Sequence, residues 1–362
     1  MRVFVKAAVL AAGIIAAGHP ALAQDQSPAD VARFIEGLPV SAESPLAKFA
    51  KEPAWQAYAK AFDGSWDKVE KQQLIKVRAW RDANVKSTPD TLYYFFSGPD
   101  YMYANAFYPK AKTYILAGLE PVGPIPTVDA RTVQSLPALR ASLEHSLNLS
   151  FFITSDMNAR LRGGAVKGAL PPLYAFLARA GATIKEVSLI ALDSDGNLQP
   201  ADQVKGRQLA PGVKIVFTKE GGEPQTLYYF STDLANGGLK ASNFLKFCDK
   251  FGQGAALIKS ASYLPHGGPF SEVRDFVLKR ADTIIQDDTG VPIRNFKQDE
   301  WSLTPFGTYI GPIPIFGMGP EGAAQQLWHA KNKPAKLDFG IGYRNRGHDS
   351  NLLLAVRKEK KS

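Results

Sequence analysis

Thr91-Leu-Tyr-Tyr-Phe-Phe-Ser97 recurs almost letter for letter as Thr226-Leu-Tyr-Tyr-Phe-Ser231. Each string is an unbroken run of aliphatic and aromatic residues, and each is followed by a turn with an acid, Asp100 or Asp233. Such a run reads as a buried strand closed by a turn. A helical stretch and a second apolar strand follow each string, at 113–119 and 256–263, and proline and glycine come soon after, at 121–123 and 265–268. Self-similarity of this kind can mark two related β–α–β halves. Convergence of two aromatic-rich strands explains so short a match as well. In the repeat reading the acidic turns sit at like ends of neighbouring strands. Open α/β sheets bind ligands beyond the carboxyl ends of their strands. Ser97, Asp100, Glu120, Ser231 and Asp233 therefore become candidates.

The alternation continues outward. Helical patterning covers 101–108, 136–149, 172–180, 242–251 and 270–281, and strands are expected at 187–192, 255–263, 283–286, 336–343 and 352–357. Residues 213–218 and 226–230 form a hairpin around Glu220-Gly-Gly-Glu223, 151–154 either extend a helix or start a strand, and 313–316 is short and extended. Strands alternating with helices predict an α/β fold, a mixed sheet flanked by helices. Residues 24–85 are helical instead. Ser27 is placed to cap a helix opened by Pro28, Asp63-Gly64 is expected to interrupt a later one, and Trp55, Tyr58, Phe62, Trp66 and Trp80 mark a buried stripe. The expected organisation is an N-terminal helical subdomain over 24–85, a first α/β half over 86–200 and a second over 201–362.

The first residues carry a different message. Arg2 and Lys6 precede an apolar stretch over 7–18, and Ala21-Leu-Ala23 offers small residues where a signal peptidase reads. This predicts a cleaved signal peptide over 1–23 and an exported, periplasmic or secreted protein. The apolar stretch is shorter than a bilayer span, and no later segment is long and apolar enough, so the chain is not expected to be an integral membrane protein. Export usually goes with paired cysteines. Among 362 residues Cys248 is the single cysteine. Its neighbours Phe244, Leu245 and Phe251 make it a buried small hydrophobe, so the fold has to hold by its core. Hydrophobic residues at 45% and charged residues at 21% exclude disordered, collagen-like and disulfide-scaffold classes. The formal charge of +9 is spread along the chain and, with export, argues against nucleic acid.

Chemistry-bearing motifs are few. Gly317-Met-Gly-Pro-Glu-Gly322 has dinucleotide-loop spacing, with Asp338 at the distance of a ribose-binding acid. A short following helix, Pro320 inside the loop and export count against it, so a glycine turn is expected. Asp287 and Asp288 form a carboxylate pair at a strand end, able to supply an acid and a base or to meet a hard cation, although neighbours on a strand diverge and a turn with Asx hydrogen bonds explains them as well. Asp193-Ser-Asp-Gly lacks the closing Glu of a calcium loop and reads as a turn. Of His145, His266, His329 and His348, no two have zinc-pair spacing. His266 stands on a turn between a strand and a helix, with the right chemistry for proton transfer near neutrality. There is no G-x-S-x-G, P-loop or H-E-x-x-H motif, and Ser97 is the first serine to consider as a nucleophile.

These residues point to an exported α/β enzyme acting on a small or cell-envelope-derived substrate. Its candidate site residues are Asp100, Glu120, Asp233, His266, Asp287 and Asp288, with no cofactor or metal assigned. One alternative is a non-catalytic binding protein whose pocket is lined by Tyr93, Tyr94, Tyr228 and Tyr229. Another is an envelope assembly factor with an exposed apolar patch on the N-terminal helices.

Overall fold

The computed structural model describes residues 26–149, 167–204, 206, 208–330, 333–345 and 349–359. The expected signal segment over 1–23, residues 151–154 and His348 lie outside these residues. The first helix, α1 (Pro28–Ile35), starts where expected: the Ser27 side chain accepts the Asp30 amide at 3.1 Å, with Pro28 at the first position. After the short α2 (Ala47–Ala50) come α3 (Pro53–Val69) and α4 (Ile75–Asn84), joined by one widened π-type turn at Glu70–Leu74. The break expected at Asp63-Gly64 does not occur. Phe62 and Val69 bury on either side of it, and that packing exceeds the roughly 1 kcal/mol a mid-helix glycine costs.

The sheet has ten strands: β1 (Thr91–Tyr94), β2 (Thr113–Gly118), β3 (Ala182–Leu192), β4 (Leu198–Pro200), β5 (Gly212–Lys219), β6 (Gln225–Ser231), β7 (Gly254–Ile258), β8 (Ala281–Gln286), β9 (Trp301–Gly307) and β10 (Asn351–Arg357). Their spatial order is β4-β3-β5-β6-β2-β1-β7-β8-β10-β9. The middle five, β6-β2-β1-β7-β8, are parallel, and both flanks are antiparallel. The fold is thus α/β with a mixed sheet. The two aromatic strings are parallel but not neighbours. Thr91 pairs with Thr113 and Thr113 with Thr226, so β2 separates β1 from β6.

Helices cover both faces. Tyr94, Leu116 and Tyr229 share one core with α5 (Tyr101–Phe107), α6 (Ala130–Leu149), α7 (Leu170–Arg179) and the N-terminal helices. Tyr93, Ile115 and Phe230 point into the other, with α8 (Asn236–Ser242), α9 (Phe244–Asp249), α10 (Ser271–Arg280) and α11 (Gly322–Trp328). Burial on both faces is why these strands read as unbroken apolar runs. Cys248 is buried in the second core, and burial pushes its thiol well above the usual range. No helix among the described residues is long and apolar enough to cross a membrane.

Several local expectations fail. The strand expected over 255–263 stops at Ile258, and a run of left-handed residues follows. Strand β9 has no counterpart in the sequence pattern. It tolerates Pro305 because it is an edge strand, with a free side for a residue that lacks an N–H. Residues 336–343 form no strand; instead a tight turn, Gly342–Arg344, packs against Ser260 and Asp287. Pro314–Phe316 is likewise a helical turn rather than extended chain. Gly317 to Gly322 therefore follows no strand and lacks the setting of a dinucleotide loop.

Candidate functional site

Growth of the parallel sheet reverses direction between β1 and β7. From β1 the chain adds β2 and β6 on one side, then β7 and β8 on the other. A cleft of about 220 Å³ opens at the carboxyl ends of these strands, where open α/β sheets place ligands. Phe96, Ser97 and Gly98 line it from the end of β1, Gly118 to Glu120 from β2, Thr232 to Leu234 from β6, and Lys259 to Ser262 from β7. Leu264, Phe270 and Tyr343 complete the wall.

The backbone here is held in unusual shapes. Phe96 (φ 60°), Ser260 (φ 58°) and Ser262 (φ 54°) are left-handed although none is glycine, and Tyr263 (φ 58°) continues the run. Each such residue costs on the order of 1–3 kcal/mol unless its surroundings enforce it. On the β7 turn the enforcement is visible. The Ser260 N–H donates to Asp287 Oδ2 at 2.9 Å, the Ala261 N–H donates to Thr289 Oγ1 at 2.7 Å, and the Tyr343 hydroxyl donates to the Ser260 carbonyl at 3.2 Å.

The predicted acids separate into three groups. Glu120 and Asp233 line the cleft. Glu120 is 4% exposed, and Tyr229 donates to its backbone carbonyl at 2.7 Å and to Oε2 at 3.3 Å. Its carboxylate lies over two glycines. A Cβ at Gly98 would come within 3.0 Å of Oε2, and one at Gly118 would overlap it. Only glycine at both positions lets the carboxylate lie there. Asp233 is exposed at the rim and accepts the Ala235 amide at 2.9 Å.

Asp100 and Asp287 lie one layer behind the wall. Asp100 caps α5 by accepting the Tyr103 amide at 3.1 Å, receives the Tyr94 hydroxyl at 2.7 Å, and pairs with Lys259 Nζ at 3.0 Å. Asp287 accepts from Ser260 and from the Thr289 amide and hydroxyl. Its pKa is nevertheless raised to about 6, first by burial and then by the neighbouring Asp288. Because the folded value lies above the unfolded one, the associated stability is fully present at low pH. It is lost as pH rises through about 6. A rise of that size is worth roughly 3 kcal/mol. Urea unfolding at pH 4 and pH 8 is expected to show this loss in the native chain, and Asp287→Asn is expected to remove most of it. An unchanged pH difference in the variant would assign the effect elsewhere.

Asp288 and His266 are turned away from the cleft. Asp288 pairs with Arg344, the Tyr263 hydroxyl (2.5 Å) and Asn351 (3.1 Å). His266 packs edge-on against Tyr263 at 5.3 Å, and burial and Arg294 lower its pKa although Glu321 opposes them. It is not among the lining residues. Both residues lie beyond the end of β8, in a turn in which the Thr289 amide and hydroxyl donate to Asp287, and that turn sends the two carboxylates to different partners. Among the described residues no cluster of three or more His, Cys, Asp or Glu could hold a metal ion.

Sequence reasoning missed Thr232, Lys259, Ser260 and Tyr343. A lysine followed by three small residues directly after an apolar strand was the available signal for two of them. Tyr343 arrives from a distant segment with no local signal. No family model, curated protein or solved structure matches the chain.

Proposed function

We propose that the protein is an exported enzyme acting on a small or envelope-derived substrate in this cleft, with Glu120 as its acid–base group. One observation carries the reading. Left-handed, non-glycine turns at the ends of β1 and β7 are built around a cleft at the reversal point of the sheet, beside a buried carboxylate. Strain maintained at such a place supports a working site, because left-handed non-glycine residues cluster at sites where geometry is imposed for function. Export rests on the amino-terminal pattern over 1–23.

The alternatives have less support. Tyr93, Tyr94 and Tyr229 are at most 1% exposed and Tyr228 is 9% exposed, so all four are core and none lines the cleft. On the described N-terminal helices Ile75 is the exposed large apolar side chain, which is no patch. The test is a panel of nitrophenyl esters, phosphates and glycosides with the purified chain. Glu120→Gln, nearly the same shape, is expected to lower turnover of the accepted class by about 10²- to 10⁴-fold. No class turned over above the Glu120→Gln background would end the enzyme reading.

A further inference from the structure

We infer that residues 309–320 form a docking loop for the surface of an anionic phospholipid bilayer, with Ile310, Ile315 and Met318 entering its apolar layer. The inference does not depend on the enzyme reading. The loop reads Tyr309-Ile-Gly-Pro-Ile-Pro-Ile-Phe-Gly-Met-Gly-Pro320 and carries no charged side chain. Ile310 is 68%, Ile315 85% and Met318 39% exposed. Single apolar side chains at a surface are ordinary. Three within one loop, with no charge among them, mark an interaction surface instead.

The exposure is built into the shape of the loop. The Ile313 N–H donates to the Tyr263 hydroxyl at 2.9 Å, and the Arg344 guanidinium donates to the Gly311 carbonyl. The Phe316 ring lies 5.6 Å from that of Tyr263 and 5.0 Å from that of Tyr343. These anchors hold Phe316 against the body while its neighbour Ile315 stays in solvent. Within the turn the Phe316 N–H donates to the Ile313 carbonyl at 3.1 Å and the Gly317 N–H to the Pro314 carbonyl at 3.0 Å. Pro312, Pro314 and Pro320 have no N–H to satisfy. Donors already paired or missing lower the cost of leaving water for lipid. Pairing with a protein strand would need such groups free.

Charge decides the kind of surface. Between 301 and 337 the single acid is Glu321. Its side chain is 10% exposed and lies 3.7 Å from Arg294, whose own side chain is 54% exposed. An accessible cation thus stands at the carboxyl-terminal end of the loop. At the other end the Gly307 N–H donates to the Ala335 carbonyl at 2.8 Å, which brings the exposed Lys333 and Lys336 beside the chain that enters the loop. Cations at both ends, with no exposed acid between them, complement an anionic bilayer. A second copy of this chain meeting the same face would set these cations against their own kind.

The experiment is co-sedimentation of the protein, purified as its host processes it, with two kinds of sucrose-loaded vesicle at about 0.1 M NaCl. One is an equal mixture of phosphatidylglycerol and phosphatidylcholine, the other phosphatidylcholine alone. The native chain is expected to bind the mixed vesicles at least about tenfold more tightly. Ile310→Ser/Ile315→Ser is expected to lose about 30- to 100-fold in partition to them, and Lys333→Gln/Lys336→Gln about tenfold. Leu189→Ser, an exposed apolar change on β3 near the opposite edge of the sheet, is expected to bind as the native chain does. All the replaced side chains are exposed, and circular dichroism checks that the variants are folded. Native-like binding by the folded isoleucine variant overturns the inference, as does equal binding of the native chain to both vesicles or no binding to either. A dimer in sedimentation velocity that the isoleucine variant loses, without vesicle binding, assigns the loop to a second copy and overturns it too.

Discussion

Asp100→Ala will unfold at a much lower urea concentration than the native chain, a loss of about 3–5 kcal/mol. The size follows from what the substitution strands. Lys259 and Asp100 are 2% and 3% exposed, so removing the acid leaves an ammonium enclosed without its counter-charge. The same change uncaps α5 and frees the Tyr94 hydroxyl inside the core, and a lost cap alone costs about 1 kcal/mol. The double variant Asp100→Asn/Lys259→Met removes both charges and is expected to regain most of the loss. Equilibrium urea titration of the two proteins checks this. If the single variant is within error of the native chain, the ammonium is solvated and the buried-pair account fails.

Arg179→Met is expected to have an effect of the same order, about 3–5 kcal/mol, at the other end of the molecule. Arg179, at the end of α7, meets Glu36 at 2.6 Å and Asp63 at 2.7 Å, and its guanidinium lies 5.6 Å from the centre of the Phe62 ring and 5.7 Å from that of Trp66. It thereby ties α1 and α3 to the helix beneath the sheet. Glu36 is fully buried and would be left alone. Asp63 is 64% exposed, so Asp63→Asn is the control and should cost no more than about 1 kcal/mol. Thermal melts followed by far-ultraviolet circular dichroism compare the two. Equal shifts for both variants would show that burial of Glu36 is not the source.

The two repeated strings were legible because sequence pattern reports burial. Leu92-Tyr-Tyr-Phe and Leu227-Tyr-Tyr-Phe have no polar face, and a strand with none belongs inside a sheet covered on both sides. Ser27 as a helix cap and Asp193 as a turn acid follow from bonds made within a few residues, whereas Asp100, read as a site residue, is a helix cap in the structure. The same locality explains the errors. Residues 259–263 continue an acceptable strand pattern, and only contacts with Asp287, Thr289 and Tyr343 bend them into a left-handed turn. Asp287 and Asp288 looked like one pair, yet one serves the cleft wall and the other serves Arg344.

By itself, the sequence determined the α/β class with a mixed sheet and the burial of the two aromatic strings. Strand burial, caps and turns depend on interactions that a short stretch of chain carries with it. Tertiary structure alone decided that β2 lies between the two strings, that growth reverses between β1 and β7, and that Glu120 shares a cleft with Lys259 and Thr232. Those groups are 112 to 139 residues apart in pairs with Glu120, and no local pattern records which strand ends become neighbours. Strand order is set by which apolar faces the crossover helices cover together, and the site is a consequence of that order.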